Sequence, residues 1–132
     1  MMRQLVAVWL FLSPLAARLP APLAAQTRVV MLGTGNPNSD PDRSGPSVAI
    51  VVNGSAYLVD AGPGVVRRAE AARRRGGAEL TQPNLKTVFL THLHSDHTLG
   101  LPYLMLAPWV LERTAPLAVY GPPGTAAMVS HI

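Results

Sequence analysis

Thr91-His92-Leu93-His94-Ser95-Asp96-His97-Thr98 holds three of the four histidines of the chain and follows directly on an apolar, β-branched run, Lys86 to Thr91 (KTVFLT). The run reads as a buried strand that delivers the chain into the histidine cluster. Neutral imidazoles and carboxylates converging from a short, stiff segment are what a divalent metal ion needs. At strand spacing His92 and His94 point to one side while Leu93 points back into the core. A turn at Ser95 then lets Asp96 and His97 face a second position, so two donors suit one ion and two suit its neighbour. Burying four such side chains without a metal or a dense hydrogen-bond network would cost several kcal/mol.

Outward from this segment, the spacing predicts alternating strands and helices. Arg28 to Gly33 reads as a buried strand, and Thr34 to Pro46 (TGNPNSDPDRSGP) as a loop dense in Gly, Pro, Asn and Asp. Ser47 to Val52 is a strand, Asn53-Gly54 carries the two positive-φ residues of a type I′ turn, and Ala56 to Asp60 is the return strand. Asp60-Ala-Gly-Pro-Gly64 is a glycine corner into a helix from about Val65 to Arg75, closed by Gly76-Gly77. On that helix Val65, Ala69 and Ala72 share one side, and Arg67, Arg68, Arg74 and Arg75 the other, which reads as a solvated face. A short helix near Leu99–Leu106, an apolar stretch 107–111 with Trp109 as core packing, a strand 117–120 and the start of a helix from Thr125 complete the pattern. Strand–helix alternation with an early hairpin makes an α/β (α+β) class with a mixed sheet and flanking helices.

The 132 residues are 48% hydrophobic and 14% charged and include no cysteine, which allows one domain and excludes disulfide frameworks and thiolate metal sites. Residues 1–25 read as a secretory signal peptide: Arg3 is the positive region, Leu5 to Ala17 the apolar region, and Leu23-Ala24-Ala25 the cleavage site. The run is too short for a bilayer, which takes ~20 residues, so no membrane span is expected after cleavage. A periplasmic or secreted domain over 26–132 follows, with nine basic and seven acidic residues. That net charge of +2 is too mild to argue for nucleic acid, and export removes most RNA from consideration.

The segment 91–98 resembles the His-x-His-x-Asp-His motif of the metallo-β-lactamase-fold hydrolases. Leu32-Gly-Thr-Gly35 is similar to the opening of ribonuclease Z-like and arylsulfatase-like members. Leu58-Val-Asp-Ala-Gly62 is similar to the family's strand-end Asp and glycine corner, and Tyr120-Gly-Pro-Pro-Gly124 to its later Gly-Pro segment. The resemblance implies that His92 and His94 bind a first zinc, that Asp96 and His97 bind a second, and that Asp96 is catalytic in orienting the attacking water. Asp60 would hold the motif loop from behind the ligands.

The family's fold is a four-layer αββα sandwich whose C-terminal half supplies another His, a bridging Asp and a final His. No Asp follows Asp96, and His131 reads as helix packing. The chain therefore reads as the N-terminal half, a truncated fragment whose sheet would expose an apolar face. The resemblance implies an exported, zinc-dependent hydrolase using a metal-bound hydroxide on an ester. A small-molecule sulfate or phosphate ester is the expected substrate, and no nucleic acid partner is expected. The alternative is a non-catalytic zinc-binding half-domain that assembles with a partner chain, a homo-oligomer included.

Overall fold

Asn53 and Gly54, with φ of 48° and 80°, reverse the chain between Val52 and Ser55 and set the register of the central hairpin, as their type I′ signature demands. The computed structural model describes residues 27–132; the signal-peptide reading of residues 1–25 lies outside them. Five strands, β1 (Thr27–Gly33), β2 (Ser47–Val52), β3 (Ser55–Val59), β4 (Leu85–Phe89) and β5 (Ala118–Tyr120), form one sheet in that order. The β1–β2 and β2–β3 pairs are antiparallel, and β3–β4 and β4–β5 are parallel. The mixed sheet expected from the sequence is therefore present.

Pairing register sorts the side chains into two faces. Val30, Ala49, Leu58, Val88 and Val119 lie in register across the sheet on its covered side. There they join the core with Val65, Val66 and Ala69 of α1 (Val65–Arg74) and Leu101 and Leu104 of α3 (Leu101–Val110). The opposite face carries the row Met31, Val48, Val59, Phe89 and Tyr120, and nothing among the described residues covers it. Met31 is 59% and Tyr120 56% exposed, and Phe89 stacks on Tyr120 with ring centroids 5.1 Å apart. This is the exposed apolar face expected of a single sheet layer.

Two elements depart from the sequence reading. The helix expected near 99–106 is α3, which runs on to Val110 through most of the stretch 107–111, and a short turn of helix, α2 (Ser95–Thr98), precedes it. Pro108 sits inside α3 and has no N–H to offer the carbonyl of Leu104, the break that a proline in a helix normally causes. Arg113, only 4% exposed, repairs it: Nη1 donates to Leu104 O at 2.8 Å and to Leu85 O at 3.1 Å, and Nη2 donates to Met105 O at 2.6 Å. Trp109, read as core packing, lies on the outer side of α3 and is exposed, as are Leu106 and Val110. Because α3 is apolar all round, its periodicity does not tell which face turns inward. Among the described residues no helix is long and apolar enough to cross a membrane.

Replacing Arg113 by Leu would leave three buried carbonyls without their donor. A loss of about 2–3 kcal/mol in urea unfolding of the full chain is expected, and Arg113→Lys, with a single point of donation, should recover only part of it. An unchanged midpoint for Arg113→Leu would show that water satisfies these carbonyls instead.

Candidate metal centre

Asp60 ends β3 in a left-handed conformation, φ 61°, that is unusual for a residue with a side chain. Its N–H still donates to Phe89 O at 2.8 Å, keeping it on the sheet, while Ser47 Oγ donates to its carbonyl at 2.9 Å. The twist turns its carboxylate, in a residue only 6% exposed, toward the end of β4. There Oδ1 accepts the backbone N–H of Thr91 at 2.8 Å, and Thr91 Oγ1 donates to the same carboxylate at 2.9–3.0 Å. Oδ2 meets His97 Nδ1 at 2.8 Å. One carboxylate thus grips both ends of the histidine segment. It also explains why β4 stops at Phe89 rather than running to Thr91 as expected: the Thr91 N–H is spent on a side chain, not on the ladder.

The glycine corner fixes the same segment from below. Ala61 N–H donates to His97 O and Gly100 N–H to Ala61 O, both at 2.8 Å. The loop 34–46 is joined to this corner by a reciprocal pair, Gly62 N–H to Pro46 O at 3.0 Å and Gly45 N–H to Pro63 O at 2.9 Å. A Cβ on Gly62 would collide with the carbonyl of Asp96 and the backbone of Gly45, and one on Gly100 with the carbonyl of Gly62. The glycines are needed here for close approach of three backbones.

The three imidazoles lie together. The His92 ring centroid is 4.6 Å from that of His94 and 4.0 Å from that of His97. His92 therefore sits between the other two, rather than His92 and His94 forming a pair apart from His97. Asp96 is 8% exposed at the N-terminus of α2, and its Oδ2 is 3.5 Å from His97 Nε2. Proton accounting fixes the tautomers. Thr91 Oγ1 has one hydrogen, donated to Asp60, so the 2.9 Å contact with His92 Nδ1 requires that nitrogen to carry the proton. His97 Nδ1 likewise donates to the Asp60 carboxylate. Both rings then present a bare Nε2, and that of His97 faces the carboxylate of Asp96. This holds for neutral rings; a proton on His97 Nε2 would join it to Asp96 just as a bound cation would.

The donor chemistry fits a borderline divalent ion such as zinc, which takes imidazole nitrogen and carboxylate oxygen. The enclosure is incomplete: among the described residues no three His, Asp or Glu side chains converge on one point. His131 is exposed and bonds its own helix, Nδ1 to Ala127 O at 2.7 Å. The contribution of Thr91, whose hydroxyl links Asp60 to His92, was missed in the sequence, although a Thr ahead of the first His was a visible signal.

Residues 40–130 match the family model of the Metallo-beta-lactamase superfamily. The chain belongs to that superfamily. It is 47% identical over 104 residues to "Ribonuclease Z" of Mycobacterium marinum, covering 76% of this chain and 35% of that protein. Against "Ribonuclease Z" of Pyrococcus horikoshii it is 38% identical over 104 residues, covering 79% and 32%. The crystal structure of human tRNase Z, short form, superposes with a TM-score of 0.67 at 28% identity over 80% of this chain and 38% of that one. The chain thus spans about a third of the length of the curated relatives it matches.

These relatives correct two expectations. They are ribonucleases by name, so an exported hydrolase of small sulfate or phosphate esters is not supported, and neither is the exclusion of nucleic acid as a partner. Neither the apolar run 5–17 nor the net charge decides the substrate. A leader's composition carries no information about what the donors at 92–97 attack, and a mild net charge hides how the charge is distributed.

Asp60→Ala removes the acceptor for the N–H and the hydroxyl of Thr91 and the partner of His97. It should cost about 2–4 kcal/mol in urea unfolding, whereas Asp96→Ala, whose carboxylate supports no backbone group, should cost less than 1 kcal/mol or so. Equal losses would mean that Asp60 does not hold the segment.

Proposed function

We propose that residues 27–132 are the histidine-motif half of a ribonuclease Z-like, zinc-dependent hydrolase that cuts an RNA phosphodiester. The observation that carries this reading is the grip of Asp60 on Thr91 and His97, which sets His97 Nε2 opposite Asp96 at 3.5 Å. Outer hydrogen bonds of this kind orient metal-binding histidines and fix their tautomer. The ribonuclease Z relatives support RNA as the substrate class. The uncovered apolar row from Met31 to Tyr120 supports a second half of the αββα sandwich packing on this face and bringing the remaining donors.

His92, His94, Asp96 and His97 would hold the metal. Zinc in such a site supplies Lewis acidity to a phosphoryl oxygen and an acidified water at neutral pH. The chain's own residues do the positioning. Asp96 is the catalytic residue of this set, its carboxylate oriented to accept a hydrogen bond from the attacking water. Its backbone is locked by the close approach of Gly62, so the carboxylate does not wander as substrate enters. Asp60 acts through His97 and Thr91 and touches no substrate.

The test is cleavage of a labelled, unprocessed transfer-RNA transcript by the full-length gene product. Dialysis against a chelator should abolish cleavage and added zinc restore it, and His94→Ala should lower the rate by more than about 100-fold, beyond the 10–100-fold typical of an outer partner. Cleavage that survives both treatments would end this reading.

A further inference from the structure

The nine basic and seven acidic residues of the described chain are not mixed. Arg28, Arg67, Arg68, Arg73, Arg74 and Arg75 stand on α1 and the adjoining start of β1, with only Glu70 and Glu79 among them. The rest of the chain has three basic residues against five acidic ones, four of which, Asp40, Asp42, Asp60 and Asp96, belong to the loop and the metal centre. A net charge of +2 thus conceals a strongly positive face and a negative site. An RNA drawn to that site meets its own sign of charge there and needs an anchor elsewhere.

The basic face has a built part. Arg28, Arg68 and Arg75 line one concavity between the start of β1 and the end of α1, with Val30 and Ala72 beneath them. Arg68 and Arg75 are seven residues apart, nearly two whole turns, so they share one side of the helix about 10 Å apart. Arg68 Nε donates to Leu32 O at 3.1 Å, which aims its two remaining nitrogens outward and reduces the ordering needed on binding. Arg73 and Arg74 are held by Glu70, whose carboxyl is pulled down to about 2 by their hydrogen bonds, and Arg28 is paired with Glu79. Arg67, Arg68 and Arg75 have no carboxylate partner among the described residues. All three are exposed.

We infer that the concavity of Arg28, Arg68 and Arg75 is an anchoring site for RNA backbone phosphates, outside the metal centre and at a distance from it fixed by α1. The inference rests on the RNA reading of that centre. A strand carries one phosphate per about 3.4 Å of duplex axis, so the span from Arg68 to Arg75 takes more than one. The guanidinium fork suits phosphate oxygens in pairs. Because α1 springs from the glycine corner beneath Asp96, an RNA held here is positioned relative to the site by a rigid element rather than a loop.

The experiment is equilibrium binding of a fluorescein-labelled RNA hairpin to the full-length protein without added metal, by anisotropy, from about 50 to 200 mM KCl. Arg68→Ala with Arg75→Ala should weaken binding about tenfold at the lower salt and reduce the slope of log K against log salt by about two. Arg75→Glu, at a side chain that bonds nothing among the described residues, should weaken binding without altering the circular dichroism or thermal midpoint. Unchanged affinity and slope in Arg75→Glu, or capture of a polyglutamate peptide in place of the hairpin, would overturn the inference. Salt-dependent, Arg75-dependent binding by a protein that cleaves no transcript would remove the nuclease reading and leave the anchor standing.

Discussion

The carboxylate of Asp60 is the constraint on which the rest of the site depends. It is nearly buried, and it meets the N–H and hydroxyl of Thr91 and the ring of His97. A buried carboxylate is tolerated when its lone pairs are filled, and here filling them also decides where a strand ends, which tautomer two histidines adopt and where the bare ring nitrogens point. Its left-handed backbone is a local cost that the surrounding bonds over-determine: N–H to Phe89, carbonyl to Ser47, side chain to Thr91 and His97. Strain of this kind persists at functional sites because several independent contacts hold it there.

The topology places that carboxylate where it is useful. β3, β4 and β5 run parallel, so Asp60, Thr91 and the Tyr120–Gly124 corner all emerge at the same edge of the sheet, the carboxyl ends of three adjacent strands. Sheets with parallel strands collect their functional groups at this edge. The antiparallel hairpin contributes differently. By turning back at Asn53-Gly54, β2 brings Pro46 and the loop 34–46 to the same edge, where they bond the glycine corner. Three segments far apart in sequence meet at backbone contact, and only residues without a Cβ allow it.

Much of this was legible in the sequence because the signals are local. Asn53-Gly54 states its own turn, and the β-branched run of Ser47 to Val52 states its own strand. What was not legible depends on tertiary partners. Nothing near Pro108 tells that Arg113 would take up the carbonyl it orphans, so the helix was broken where it continues. Trp109 is apolar and therefore read as inside, yet α3 is apolar on every side and some of it must face out. The strand 86–91 was too long by two residues because the competitor for the Thr91 N–H, Asp60, lies 31 positions earlier. His97 returns on α2 to lie 4.0 Å from His92, centroid to centroid, a contact that the spacing of His92 and His94 does not foretell.

The substrate was the least legible property, and charge shows why. A sum over the chain treats Arg75 and Asp96 as cancelling, but one closes α1 and the other stands in the first turn of α2. What an approaching polyanion meets is the local field, positive along α1 and negative at the metal centre. Under the function proposed above, divalent cations held there would turn a repulsive region of the described residues into an attractive one. Composition, which counts side chains without placing them, therefore carries no argument against a polyanionic partner.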